Sequence, residues 1–264
     1  MSSQDTAQVS GHAPRFTIRP VTMEQPWKWL AAGWSDLWRA PGVSLTYGAL
    51  LTIASFCVSA GLFLSGLEYL LLPMIAGFML LGPMLAVGLY EISRRHAHNE
   101  DVDLKSALFV KTRSPGQLAY IGVLLTLMIL AWIRIATLLF ALFFGTLEIP
   151  PLEEATQLLL FTLEGLSMLA VGTVVGGFFA AVVFSVSVVS IPLLVFHNVD
   201  AVTAILVSLR AVRDNLKAMI VWAWLVAMVT ACGLATLFVG LIVTFPLIGH
   251  ATWYAYRDLV QERH

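Results

Sequence analysis

Charge is what this sequence has least of: 12% of its 264 residues are Asp, Glu, Lys or Arg, against about a quarter in soluble domains. That shortage excludes an ordinary soluble fold. With 15 basic residues against 16 acidic ones, no overall charge would draw nucleic acid either. Cysteine is nearly absent. Cys57 and Cys232 both fall in apolar runs, where a thiol behaves as a small hydrophobe, so no disulfide framework is implied. No phosphate loop, nucleophile elbow or zincin motif occurs, which argues against an enzyme and against a bound cofactor. His96, His98, Glu100, Asp101 and Asp103 are close in sequence, but their spacing matches no zinc pattern and reads as a solvated connector. The first twenty residues lack the apolar core of a secretory signal and read as a flexible cytoplasmic tail.

Apolar windows, by contrast, recur along almost the whole chain after residue 42. A helix needs about 20 such residues to cross about 30 Å of hydrocarbon. Six spans are expected, near 43–64, 70–92, 117–138, 166–195, 217–235 and 237–257. The implied fold is an all-α polytopic membrane helix bundle. Fourteen of the fifteen Lys and Arg residues fall in the same alternate set of segments; the connections at 65–69, 139–165 and 233–236 hold none. Since basic residues near span ends stay cytoplasmic, both termini are expected there, which requires an even number of crossings. The expected location is a cell inner membrane, with the lipid bilayer as first partner.

Internal repetition organises the spans. Arg39-x-Pro41-Gly42 returns as Arg113-x-Pro115-Gly116, each time before an apolar run. Proline cannot continue a preceding helix, glycine permits the turn and arginine is expected to reach phosphates, so each motif reads as a corner. Ahead of the first corner, Trp27, Leu30, Trp34 and Trp38 recur at helical spacing and imply a helix on the membrane surface. If lipid holds that helix, serines at Trp27, Trp34 and Trp38 should release it. Thr22 and Gln25 have capping-box spacing, with Pro26 suited to a first turn. A looser third copy places Val202, Ile205, Leu206, Leu209 and Val212 on one apolar face, and Asp103 and Asp200 suit N-caps. Each copy closes on a proline-bearing span, through Pro83, Pro192 and Pro246. The chain thus divides into a tail, 1–20, and one membrane domain, 21–264, of three pseudo-repeats near 22–95, 103–197 and 200–260.

Few residues within the spans carry chemistry. Arg134 is the one basic residue outside the cytoplasmic set; it lies close enough to the far interface to snorkel, with Glu148, Glu153, Glu154 and Glu164 nearby in sequence. His250 is the one histidine within a span and is expected to form an interhelix hydrogen bond. Gly172 and Gly176 make a GxxxG pair suited to close helix approach. Pro150 and Pro151 precede a second surface helix, on the opposite face.

The segments "WLAAGWSDLWRAPG", "GPMLAVGLYEISRR", "RSPGQL", "SIPLL", "DAVTA" and "GHATWYAYR" together resemble bacterial predicted integral membrane proteins of domain-of-unknown-function family 2189, over residues 16 to 260. The resemblance implies a bacterial inner-membrane protein and brings no activity or functional residues with it. "SLRAVRDNLKAMIVW" is more weakly similar to the membrane domain attached to some glycerophosphodiester phosphodiesterases. The leading expectation is a non-enzymatic accessory, assembly or scaffold protein, acting on a membrane-protein partner or a second copy. Its rival is a small-solute or lipid-handling transporter, motivated by the kinked spans and Arg134.

Overall fold

The computed structural model describes residues 16–145 and 152–262, and the chain there is almost entirely helical. The first fifteen residues of the expected tail, with Glu148, Pro150 and Pro151, lie outside this range. The elements run β1 (Phe16–Ile18), α1 (Gln25–Arg39), α2 (Pro41–Leu64), α3 (Leu71–Leu85), α4 (Val87–Ala97), α5 (Leu104–Leu108), α6 (Pro115–Phe144) and α7 (Leu152–Phe161). They continue through α8 (Leu163–Ser187), α9 (Ser190–Phe196), α10 (Ala201–Asp214), α11 (Leu216–Ala235), α12 (Leu241–Leu259) and β2 (Val260–Glu262).

Among the described residues, five stretches are long and apolar enough to cross a membrane: Pro41–Leu64, Pro73–Ala97, Pro115–Phe144, Leu163–Phe196 and Leu216–Ala235. The sixth expected span is α12, which is helical but outside that set. Its composition follows from its position. α12 packs against α1, α2, α4, α9 and α11, so Phe245, His250, Ala251, Trp253 and Leu259 are buried in protein. A helix enclosed by other helices has no need to be apolar toward lipid, and it can carry His, Thr and Tyr.

The two corners form immediately before Pro41 and Pro115. Ala40 separates α1 from α2 at φ −136°, ψ 62°, and Ser114 precedes α6 at φ −130°, ψ 65°, with Pro41 and Pro115 each in the first turn of the helix that follows. Asn215, at φ −123°, ψ 33°, separates α10 from α11 in a related conformation without a proline. Ser114 Oγ donates to the His197 carbonyl at 3.0 Å and accepts from the Val199 N–H at 3.1 Å. Asn215 holds the segment after β1, accepting from the Val21 N–H and donating to the Arg19 carbonyl. Asp103 and Asp200 cap α5 and α10, and hydrogen bonds from Ser106 and Thr203 hold their carboxyls below the usual range. The surface helix of the second repeat, α5, is five residues long, far shorter than its counterparts α1 and α10.

Three sequence expectations need correction. Residues 16–18 are not a loose tail: β1 pairs antiparallel with β2, Ile18 opposite Val260, and Phe16 is buried. Thr22 and Gln25 form no capping box. The cap is Glu24 without a side-chain bond, and Gln25 Nε2 donates to Asp258 instead, at 2.8 Å. Arg39, expected to reach phosphates, donates to the His96 carbonyl and to Asn99 Oδ1, both at 3.1 Å, tying the first corner to the end of α4.

Two of the three proline-bearing spans break near their prolines, Pro83 and Pro192, and side chains staple the breaks, whereas α12 runs unbroken through Pro246. α3 gives way to α4 at Ala86, where Tyr47 donates to the Leu85 carbonyl and Tyr90 to the Pro83 carbonyl. Between α8 and α9, Ser208 Oγ accepts from the Val189 N–H at 3.2 Å and donates to the Ser185 carbonyl at 2.7 Å. Ser208→Ala should leave that buried N–H unpaired and lower stability by about 1–3 kcal/mol, measured by thermal unfolding in detergent. An unchanged midpoint would show that the break needs no staple.

Large apolar residues of the surface helices point outward. On α1, Trp27, Trp34 and Trp38 are about half exposed, while Trp29, Gly33, Asp36 and Leu37 are buried on the side that packs against the other helices. On α10, Val202, Leu206 and Leu209 are exposed, and Ala204, Ser208 and Ala211 are buried. In a bilayer lipid is as apolar as leucine, so small and polar residues make the helix contacts and bulky ones face lipid. Trp29 stacks edge-on against Trp222 and donates to Asp258 at 2.9 Å. The release expected from serines at Trp27, Trp34 and Trp38 is therefore revised. That variant should keep residues 27–38 protected from protease, whereas Trp29→Ala should expose them, because it removes the anchor on the protein side.

Candidate functional site

The most polar part of the interior lies where α1, α2, α4 and α12 meet. His250 of α12 is fully buried, and its ring bridges two helices: Nε2 lies 3.0 Å from Ser44 Oγ on α2 and Nδ1 2.8 Å from Ser93 Oγ on α4. One ring nitrogen donates and the other accepts in a neutral imidazole, so two serine hydroxyls satisfy it completely. The interhelix bond expected of His250 is present, twice over.

One turn along α4 from Ser93, His96 is buried against Asp36 of α1, with Nδ1 3.2 Å from Oδ1. The contact is close but not aligned, for Asp36 Oδ2 and His96 Nδ1 have no hydrogen-bond partner. His96 therefore does not belong to a solvated connector, contrary to what its neighbours suggest. The rest of that connector is bolted down as well: Arg94 binds Glu91 and Glu100, and Arg95 binds Glu91 and the Asp101 carbonyl. The Arg94 guanidinium holds the exposed Glu100 carboxyl below its usual range. Among the described residues, no three His, Cys, Asp or Glu side chains converge on one point. Chemically, the seam can lock helices together; its polar side chains are all buried.

The remaining candidates are dispersed. Pro246 lies in α12 one turn from His250 and leaves the Ile242 carbonyl without a helical donor. Gly48 of α2 approaches that carbonyl so closely that a Cβ would overlap it. Gly176 packs on Trp132 of α6, but Gly172 has open space beside it, so the GxxxG pair is split. Gly42 and Gly116 are likewise open, and they lie in the first turn of α2 and α6 while the bends fall on Ala40 and Ser114, so the turn expected of these glycines does not use them. Arg113 contributes its backbone N–H to the Val195 carbonyl. Arg134 is exposed on α6, and the side chains of Glu148, Glu153 and Glu154 lie outside the described residues. The sequence does not single out Asp36, Ser44, Ser93 or Asp258 as site residues, because nothing in it links positions so far apart.

A second feature is apolar. A cavity of about 260 Å³ lies between α3, α8, α11 and α12, beside the broken helices, with Pro83, Ala181, Phe184, Trp222 and Phe245 among its walls. Gly177, Ala180 and Ala181 line it yet are exposed, so it opens sideways between α8 and α11.

Residues 71–195 match the model of a family described as "Predicted integral membrane protein (DUF2189)". No curated protein and no solved structure matches the chain. The match bears out the resemblance seen in the sequence over a narrower stretch, from α3 to α9, and the protein is an integral membrane protein of several apolar helices.

Proposed function

We propose that this protein is a non-enzymatic component of a bacterial inner membrane, with six crossings and both termini cytoplasmic, that assembles or scaffolds other membrane constituents. The observation that carries the reading is the contrast between interior and exterior. Only 11% of the α2 window and 17% of the α6 window are buried within the chain, while His250 and Ser208 make bonds between helices and Asn215 holds the segment after β1. Such a chain has polar groups to fix its own shape and long apolar faces to offer to lipid or to another helix. The pairing of β1 with β2 supports an even number of crossings, because hydrogen-bonded strands lie on one side of a membrane. The distribution of Lys and Arg supports the cytoplasm as that side.

Purification of the full chain in mild detergent tests the reading. One defined membrane partner, or a second copy, should co-purify, and charged residues at Leu127 and Leu130 on the exposed face of α6 should lose it. Recovery of a monodisperse chain alone across several detergents would count against it. The second reading, a lipid-handling transporter, draws on the lateral cavity and the broken helices; lipid scrambling by reconstituted vesicles would favour it over scaffolding.

A further inference from the structure

We infer that the lateral cavity is a binding site for one acyl chain of a membrane phospholipid, entered between α8 and α11, with Ser187 as its polar contact. This goes beyond the scaffold reading and does not depend on it. Depth and length point to lipid first. The lining runs along α8 from Gly177 to Val188 and along α3 and α4 from Phe78 to Tyr90. At 1.5 Å per residue the α8 wall extends about 16 Å, roughly half of a 30 Å hydrocarbon layer, or one leaflet. In a bilayer, the molecules of matching length that are free to enter sideways are lipid chains.

Shape points the same way. An apolar cavity of about 150 Å³ stays dry and accepts a benzene-sized ligand; this one holds about 260 Å³. It is therefore long enough for a stretch of hydrocarbon. It is too narrow for a helix, whose diameter with side chains is about 10 Å. Gly177, Ala180 and Ala181 make a wall of small residues along its mouth, so a chain can lie against the α8 backbone without displacing a bulky side chain.

The cavity also holds a hydroxyl with nothing to bind. Ser187 is fully buried, lines the cavity and has no hydrogen-bond partner for Oγ. An unpaired buried hydroxyl is costly. Its neighbours show the usual solutions: Ser185 and Ser190 donate to carbonyls one turn back, and Ser208 staples the break. Ser187 alone of these four is left for a ligand, and an ester or carboxyl oxygen of a lipid would accept from it.

The test uses the full chain purified in detergent, stripped of lipid and titrated with palmitoyl-oleoyl phosphatidylglycerol under native mass spectrometry. One lipid should bind with an affinity above the detergent background. Ala181→Phe, which fills the mouth, should reduce occupancy at least tenfold, and Ser187→Ala should reduce it about three- to tenfold. Val174→Phe, on the exposed face of α8, should leave it unchanged. If Ala181→Phe loses its helical circular dichroism, Ala223→Phe fills the cavity from α11 instead. Equal lipid retention in the filled variants and wild type would overturn the inference. So would cross-linking of a cysteine at position 181 to a second polypeptide in native membranes, which would make the mouth a protein interface.

Discussion

Gly48→Leu should lower the thermal unfolding midpoint of the purified protein further than Ser208→Ala does, by the equivalent of about 3 kcal/mol or more. Pro246 has no N–H, so the Ile242 carbonyl four residues earlier in α12 faces outward without a donor. Gly48 brings the α2 backbone against that carbonyl, and even one added carbon would overlap it. The obstacle is backbone, which cannot turn aside as a side chain can. Overpacking typically costs about 1–3 kcal/mol where side chains yield, and here the two helices must separate instead. Gly172→Ala supplies the comparison. It lies mid-helix with open space beside it, so it should stabilise by about 0.5–1 kcal/mol through reduced backbone freedom. Equal losses from both would mean that α2 and α12 do not cross as described.

His250→Leu should cost about 2–4 kcal/mol in the same measurement. The substitution removes two hydrogen bonds and leaves the Ser44 and Ser93 hydroxyls facing an apolar side chain. Each unpaired buried group costs about 1–3 kcal/mol, and the total is held down because serine in a helix can turn to a carbonyl one turn back. Removing all three polar partners together tests the cause. Ser44→Ala, Ser93→Ala and His250→Leu combined should be less damaging than His250→Leu alone, since no hydroxyl is then left without a partner. A triple variant as unstable as the sum of its parts would assign the loss to packing.

How much of this is legible in sequence depends on the distance over which each signal acts. The spans from Pro41 to Leu64 and from Pro115 to Phe144 are local apolar runs, and the corners at Pro41 and Pro115 are set by two adjacent residues. The expectation of an even number of crossings also rests on the sequence, because the basic residues alternate by segment. The polar seam is not. His250 lies 157 positions from Ser93 and 206 from Ser44, and His96 sits among charged neighbours that make it look solvated. Asp36 misleads for another reason. It lies on the same helix as exposed tryptophans, and in a membrane the polar side of a surface helix is free to be the protein-facing side. The break at Val189 is visible only as Pro192, because the Ser208 hydroxyl that completes it belongs to α10. Arg39 looks destined for phosphate because its true partners, the His96 carbonyl and Asn99, lie in the next connector.

The proposed topology turns on α12, the sixth crossing it requires and a helix too polar to register as a span by composition. Three single cysteines in a chain lacking Cys57 and Cys232 would decide it: Lys28→Cys before the first span, Leu237→Cys in the turn between α11 and α12, and Gln261→Cys in β2. Intact cells would be labelled with a membrane-impermeant maleimide. Position 237 should be labelled from outside, with 28 and 261 labelled only after the membrane is opened. Positions 237 and 261 reacting on the same side would show that α12 does not cross.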